Sequence, residues 1–237
     1  MSTPDKALSG PRGGAFAVLA LTAASVAAAA APDHQPLNRI QPYLMASRAR
    51  EMALARTAAP PSVSAQATVL VLTASGYVTA RSGRNGFVCL VARSWDNTLH
   101  VKRARFWDPT FRAPYCFNPA AAHSVLPRYL LRTRWVTAGT SRHQIGVRQQ
   151  AARATGRLSA PQPGAMSYMM SRGGCGIGGR PGPWRPHLMF YFPRTQAPSW
   201  GANRPGNPVL SATHGETTVV YVLVPVWSDG SPAPALR

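Results

Sequence analysis

Acid is scarce in this chain. Asp and Glu together number 7 in 237 residues, against 26 Lys and Arg. Beyond the leader described below, the carboxylates are Asp33, Glu51, Asp96, Asp108, Glu216 and Asp229. Glu51 falls in a predicted helix and Asp229 in a tail. Too few remain to build a two-carboxylate glycosidase or an oxygen-ligand metal site with ease. Lysine is almost missing as well, present only at Lys6 and Lys102. No H-E-x-x-H and no C-x-x-C occurs, so zinc has no recognisable site. The G-x-S-x-G frame of a serine-hydrolase elbow is missing, and Ser75 in Ala74-Ser75-Gly76 reads as a turn residue. The run Gly173-Gly174-Cys175-Gly176-Ile177-Gly178-Gly179 lacks the Lys-Ser/Thr ending of a phosphate loop and reads as a flexible insertion. No metal and no cofactor is expected.

What is abundant is apolar, small and basic. The apolar fraction is 45%, enough for a core, and 23 Pro with 20 Gly predict many turns. The formal charge is +19, nearly all of it Arg. Such a balance favours polyanions in general. The arginines are nevertheless spread along the whole chain, as a compositional bias would spread them. The densest stretch, Lys102-Arg103-Ala104-Arg105 before Phe106-Trp107, is one isolated basic-aromatic cluster. Nucleic acid is therefore disfavoured as a partner, and polyanion binding through dispersed arginines is the weakest of three functional readings.

The N-terminus reads as an export signal. Lys6 and Arg12 precede the apolar run Ala15-Phe16-Ala17-Val18-Leu19-Ala20-Leu21, which continues into alanines up to Ala31. It is too short and too alanine-rich for a membrane anchor, and no later segment is long and apolar enough to span a bilayer. Cleavage is expected before Ala31, with Ala28 and Ala30 at the small-residue positions. The expected organisation is a signal over 1–30, an N-terminal helix and linker over 31–66, a globular domain over 67–227 and a flexible tail over 228–237. Localisation is then periplasmic or extracellular.

Within the mature chain, Ile40, Leu44, Met45, Met52 and Leu54 recur at helical spacing, so a helix is predicted across 37–59, stopped by Pro60-Pro61. The runs 68–73, 77–81 and 87–93, separated by Ser75-Gly76 and Asn85-Gly86, predict an antiparallel meander. Residues 94–117 read as irregular. Asn118-Pro119 opens a helical stretch, predicted over 119–126, 128–138 and 142–155, with Pro127 and Gly139 between segments. Strands are predicted at 166–170, 188–192 and 217–226, Pro225 marking an end or an edge. The fold class is α+β: a mostly antiparallel sheet with an N-terminal helix and a central helical segment, in a single domain.

Cys89, Cys116 and Cys175 are an odd number for an exported chain. Cys89 and Cys116 flank the irregular 94–117 connection, so a Cys89–Cys116 disulfide is predicted, leaving Cys175 a free thiol in its glycine loop.

The stretches ALARTAAPPSVSAQATVLVL, GYVTARSGRNGFVCLVARSW, FWDPTFRAPYCFNPAAAHSVLP, PGAMSYMMS, WRPHLMFYFP and PVWSDGSPAP span most of the chain from Glu51 to Pro234. They resemble a family of uncharacterised exported bacterial proteins. The resemblance implies export and a shared domain and transfers no catalytic residue. Ser167 stands where the family pattern suggests a cysteine, and the 173–183 loop departs from it.

Polar residues on strands supply the candidate site. Alternation puts His187, Met189 and Tyr191 on one face. With Tyr168 and with Glu216, which follows His214 by two residues, they suggest a cleft for a small ligand. The competing expectation is that His187 caps a strand end through a local backbone group. Met166, Met169, Met170 and Met189 read as core fillers and not as soft-metal ligands. The leading functional reading is an exported non-catalytic domain that binds a small ligand or a cell-envelope component. Whether it is an enzyme stays open, and the alternative is a hydrolase using His187 as base.

Overall fold

A computed structural model describes residues 40–96, 103–179, 184–194, 197–214 and 216–234. The predicted leader lies outside them. In chain order the elements are α1 (Arg48–Arg56), a single turn α2 (Pro61–Ser64), β1 (Thr68–Thr73), β2 (Gly76–Arg81), β3 (Val88–Ala92), α3 (Arg103–Phe106), β4 (Ala113–Phe117), α4 (Pro119–Ser124), α5 (Leu126–Thr137), α6 (Arg142–Ala154), β5 (Met166–Met169), β6 (His187–Pro193), β7 (Val209–His214) and β8 (Thr217–Leu223). The strands form one sheet ordered β2-β1-β3-β4-β5-β6-β8-β7. Every pairing is antiparallel except β1 with β3. This is an α+β domain, as the sequence predicts.

Helices cover both faces, which is why β1 and β3 read as unbroken apolar runs instead of alternating. Val69, Cys89, Val91 and Cys116 point to one face, under Ala55 of α1 and the following Ala58 and Ala59. Leu70, Leu90 and Phe117 point to the other, under Ala121, Leu126 and Tyr129 of α4 and α5. Asn118 caps α4 by accepting from the Ala121 N–H, and Ser141 with Gln144 closes a reciprocal capping box on α6. Both caps are legible in the sequence.

Four sequence expectations need correction. The helix predicted over 37–59 is broken: a 3₁₀ turn at Gln41–Tyr43 precedes α1, and Ser47 caps α1 through the Arg50 N–H. Residues 94–117 are not wholly irregular, since β4 sits in the middle of the sheet. Pro114 and the adjoining basic-aromatic composition mask its strand character. β7 was not expected at all, because Val209–His214 mixes apolar with polar residues and lies at an edge of the sheet. The first three strands also make no meander. After the β1–β2 hairpin, residues 82–87 cross the start of β1 and deliver β3 to its far side, parallel to it. Gly83 sits at that crossing. A Cβ there would lie 2.3 Å from the Gln66 oxygen and from backbone atoms of Ala67 and Thr68. Its N–H donates to Thr68 Oγ1.

β1 and β3 pair only over Thr68–Val69 and then part. The backbone groups freed by their divergence are met by side chains, as buried main-chain polar groups must be. Leu72 N–H donates to Glu51 Oε1 at 3.1 Å. The Val91 carbonyl accepts from Tyr77 OH and from Arg93 Nη1. Arg93, 0% exposed, also donates to Glu51 at 2.8 Å and to the Tyr43 carbonyl. This buried pair fastens α1 into the sheet.

Cys89 and Cys116 stand opposite one another in the β3–β4 register, and their sulfurs are bonded, at 2.04 Å. The predicted pairing is correct, and it joins two adjacent central strands. Cys175 is a free thiol. Its backbone bridges to Arg112 through two hydrogen bonds, of 2.9 and 2.8 Å, so this point of the glycine loop is fixed to the approach of β4. At the start of the expected tail, Ser228 is buried and its N–H donates to the Met170 carbonyl. No helix among the described residues is long and apolar enough to cross a membrane.

Candidate functional site

The four predicted site residues do not share one cleft. His187, Met189 and Tyr191 do lie on one face of β6, toward the helices. Tyr168 pairs with Leu188 and therefore points to the opposite face, where it packs beside Cys89 and Cys116. The period of two that aligned the β6 residues says nothing about which face a neighbouring strand aligns with; register decides that. His187 is buried, its Nδ1 2.6 Å from the Arg185 carbonyl and its ring 5.6 Å from that of Tyr221. Burial lowers its pKa below the ordinary histidine value, and the Arg185 contact opposes this only in part. The local backbone role is the one the structure gives it.

Tyr191 and Glu216 do meet, in a pocket of about 420 Å³ between the sheet and helices α5 and α6. The floor is Tyr115 of β4, Met189 and Tyr191 of β6, and Val219 and Tyr221 of β8. These alternate along their strands, so each presents the same face. Ala212 and His214 of β7, with Glu216, form one wall. The opposite wall is helical. Gly146, Gln149, Gln150 and Arg153 of α6 stand at i, i+3, i+4 and i+7, one helix stripe, and Arg128 and Arg132 of α5 are one turn apart. Asp96, from the 3₁₀ turn after β3, also lines the pocket.

The walls are held by their own bonds. Arg132 donates to the Trp95 carbonyl at 2.9 Å and to Gln149 Oε1 at 2.5 Å, tying α5 to the Asp96 turn and to α6. Tyr191 OH shares a 2.7 Å hydrogen bond with Ser167 Oγ, which fixes the floor. Arg128 stacks over the Tyr129 ring, 5.0 Å from its centroid.

Positive charge dominates this space. Burial, with the neighbouring Arg128 adding to it, lowers the Arg132 guanidinium to about 10, still fully charged at neutral pH. Burial and Arg128 also lower Arg153, while Glu216 opposes them. Burial pushes the Asp96 carboxyl up to about 6, against the pull of the Arg93 N–H and of Arg132, Arg128 and Arg93. Its Oδ2 accepts from the Arg93 N–H, while Oδ1 is buried with no hydrogen-bond partner among the described residues. No group of three or more metal-ligating side chains occurs among the described residues.

No family model, curated protein or solved structure matches this chain. The pocket is thus read from its own chemistry. Sequence reasoning missed Asp96, Arg128, Arg132 and Arg153. A signal for them existed: a polar stripe at 146, 149, 150 and 153 on a helix that should bury an apolar face. Only the position of α6 across the pocket from β6 and β8 shows that the stripe faces a cavity.

Proposed function

We propose that this chain is an exported, non-catalytic domain that binds a small organic ligand between α5–α6 and the β6–β8 end of the sheet. The observation that carries the reading is a preformed pocket of about 420 Å³ whose floor is tyrosine and whose walls carry three arginines. Small-ligand sites have this form: a mainly apolar cavity with a few placed polar groups. The basic, apolar, alanine-ended N-terminus and the Cys89–Cys116 disulfide support export. The family resemblance agrees with it.

The hydrolase alternative receives no support from His187. That residue does not line the pocket, and it bonds its own neighbour's carbonyl. The polyanion alternative is weakened by the dispersal of the arginines along the chain and by the burial of Arg93 and Arg132 within the fold.

The decisive test compares what copurifies with the mature protein from its native envelope and with a Gly146→Leu variant. Gly146 lines the pocket on α6, so a leucine there fills it without disturbing the sheet. Mass spectrometry should find a small molecule bound to the wild type and lost from the variant. Identical profiles from both proteins overturn the pocket reading. Sequencing the N-terminus of the same material should give a start at Ala31; a start at Met1 removes export from the proposal.

A further inference from the structure

Building on the pocket reading above, we propose that the ligand is a small hydroxylated aromatic carboxylate, its acid group held between Arg128 and Arg153 and its hydroxyl received by Asp96. Three features of the pocket converge on that class. The first is charge. Guanidiniums from two helices converge on one space, and the Arg93–Glu51 pair away from it is the only ion pair among the described residues. Neither Arg128 nor Arg153 has a carboxylate within salt-bridge distance there. Asp96 and Glu216 also line the cavity, so with both ionised the three arginines leave a single positive charge. A monoanion answers that balance. A phosphate dianion is opposed by two carboxylates in the same space.

The second is the floor. Tyr115, Tyr191 and Tyr221 present flat rings on one face of three strands. Aromatic faces and edges select a planar ring of comparable size, and such pairs add stabilisation beyond the area they bury. The cavity volume suits one or two rings and not a polymer segment.

The third is Asp96 Oδ1, a buried acceptor without a partner among the described residues, on a side chain that lines the cavity. Buried polar atoms are normally satisfied, and a site built around an acceptor discriminates strongly against ligands that cannot donate to it. A ring hydroxyl donates there, while a methyl ether cannot.

The test is calorimetric titration of the mature chain with 4-hydroxybenzoate, 4-methoxybenzoate, 4-hydroxybenzamide, glucuronate and inorganic phosphate. We expect 4-hydroxybenzoate to bind best. Replacing the carboxylate by the amide should weaken binding at least tenfold, and Arg153→Gln should abolish that difference. Replacing the hydroxyl by methoxy should weaken binding about tenfold in the wild type and little in Asp96→Asn. Glucuronate or phosphate binding as tightly as 4-hydroxybenzoate, and losing affinity in Arg153→Gln, overturns the aromatic class but leaves the pocket reading intact. Binding of 4-hydroxybenzoate no tighter to the wild type than to Gly146→Leu overturns the proposal outright. The copurification experiment then decides separately whether the pocket holds anything else.

Discussion

At the scale of single residues, the imbalance between arginine and acid shapes the interior as much as the surface. With so few carboxylates, arginines bond backbone carbonyls instead: Arg48 reaches Thr79, Arg81 reaches Ala65, and Arg112 reaches Pro109 and Phe111. The guanidinium suits this, because it carries five donors in a fixed fork. Part of the positive charge therefore serves the protein's own backbone, with Arg93 and Arg132 buried, which is why a dispersed count of arginines is a poor guide to partners. Asp96 shows the reverse case, an acid placed where its charge is unwelcome. Its folded pKa of about 6 exceeds the unfolded value of 3.8. Between those values the folded state holds the extra proton, so stability is greatest below the lower one and is lost as pH rises through the higher. The ionised carboxylate thus costs about 3 kcal/mol at neutral pH, on the scale of 1.36 kcal/mol per pKa unit. Asp96→Asn keeps an acceptor for the Arg93 N–H and removes that charge. We expect it to raise the melting temperature at pH 7.5 and to flatten the wild-type gain in stability between pH 6 and 4. A parallel pH dependence in both proteins would show that Asp96 is not the titrating group.

Among the elements, the strand crossing after β2 carries the strictest sequence requirement. Gly83 is needed because backbone, not side chain, occupies the place of its Cβ. Gly139, at the end of α5, is needed only for its φ of +75°, since nothing lies within 4 Å of its Cβ position. Gly83→Ala must displace the start of β1 and should destabilise by about 3 kcal/mol, the upper range for forced overpacking. Gly139→Ala should cost only about 1–2 kcal/mol, the ordinary penalty for a left-handed alanine. Urea denaturation of the two variants separates these origins, and equal losses would mean that the crossing is looser than described. The helices were the most legible elements. Asn118, Ser141 and the glycines at 139 and 156 announce their ends through local chemistry. β4 and β7 were opaque because strand identity there depends on partners distant in the chain.

For the whole molecule, the disulfide adds a covalent tie within the core. It closes a loop with a sequence separation of 27, and in the chain-entropy model this contributes about 3–4 kcal/mol. A Cys89→Ala/Cys116→Ala variant should lose about that much in chemical denaturation. Peptide mapping without reduction should give one cross-linked pair and leave Cys175 alkylatable. Loss of less than about 1 kcal/mol would place the stabilisation in the surrounding core. By itself the sequence determined the α+β class, most of the helices and strands, and the cysteine pair, because apolar period, capping residues and punctuating Pro and Gly act locally. It could align His187 with Tyr191 for the same reason, since both belong to one strand. Tertiary structure alone decided that Tyr168 faces away, that β1 and β3 run parallel, and that Arg128, Arg132, Arg153 and Asp96 line one cavity. Those relations join residues up to 125 positions apart between Asp96 and Tyr221. They depend on strand register and on the placement of α6 across the pocket from the sheet, and no local pattern encodes either.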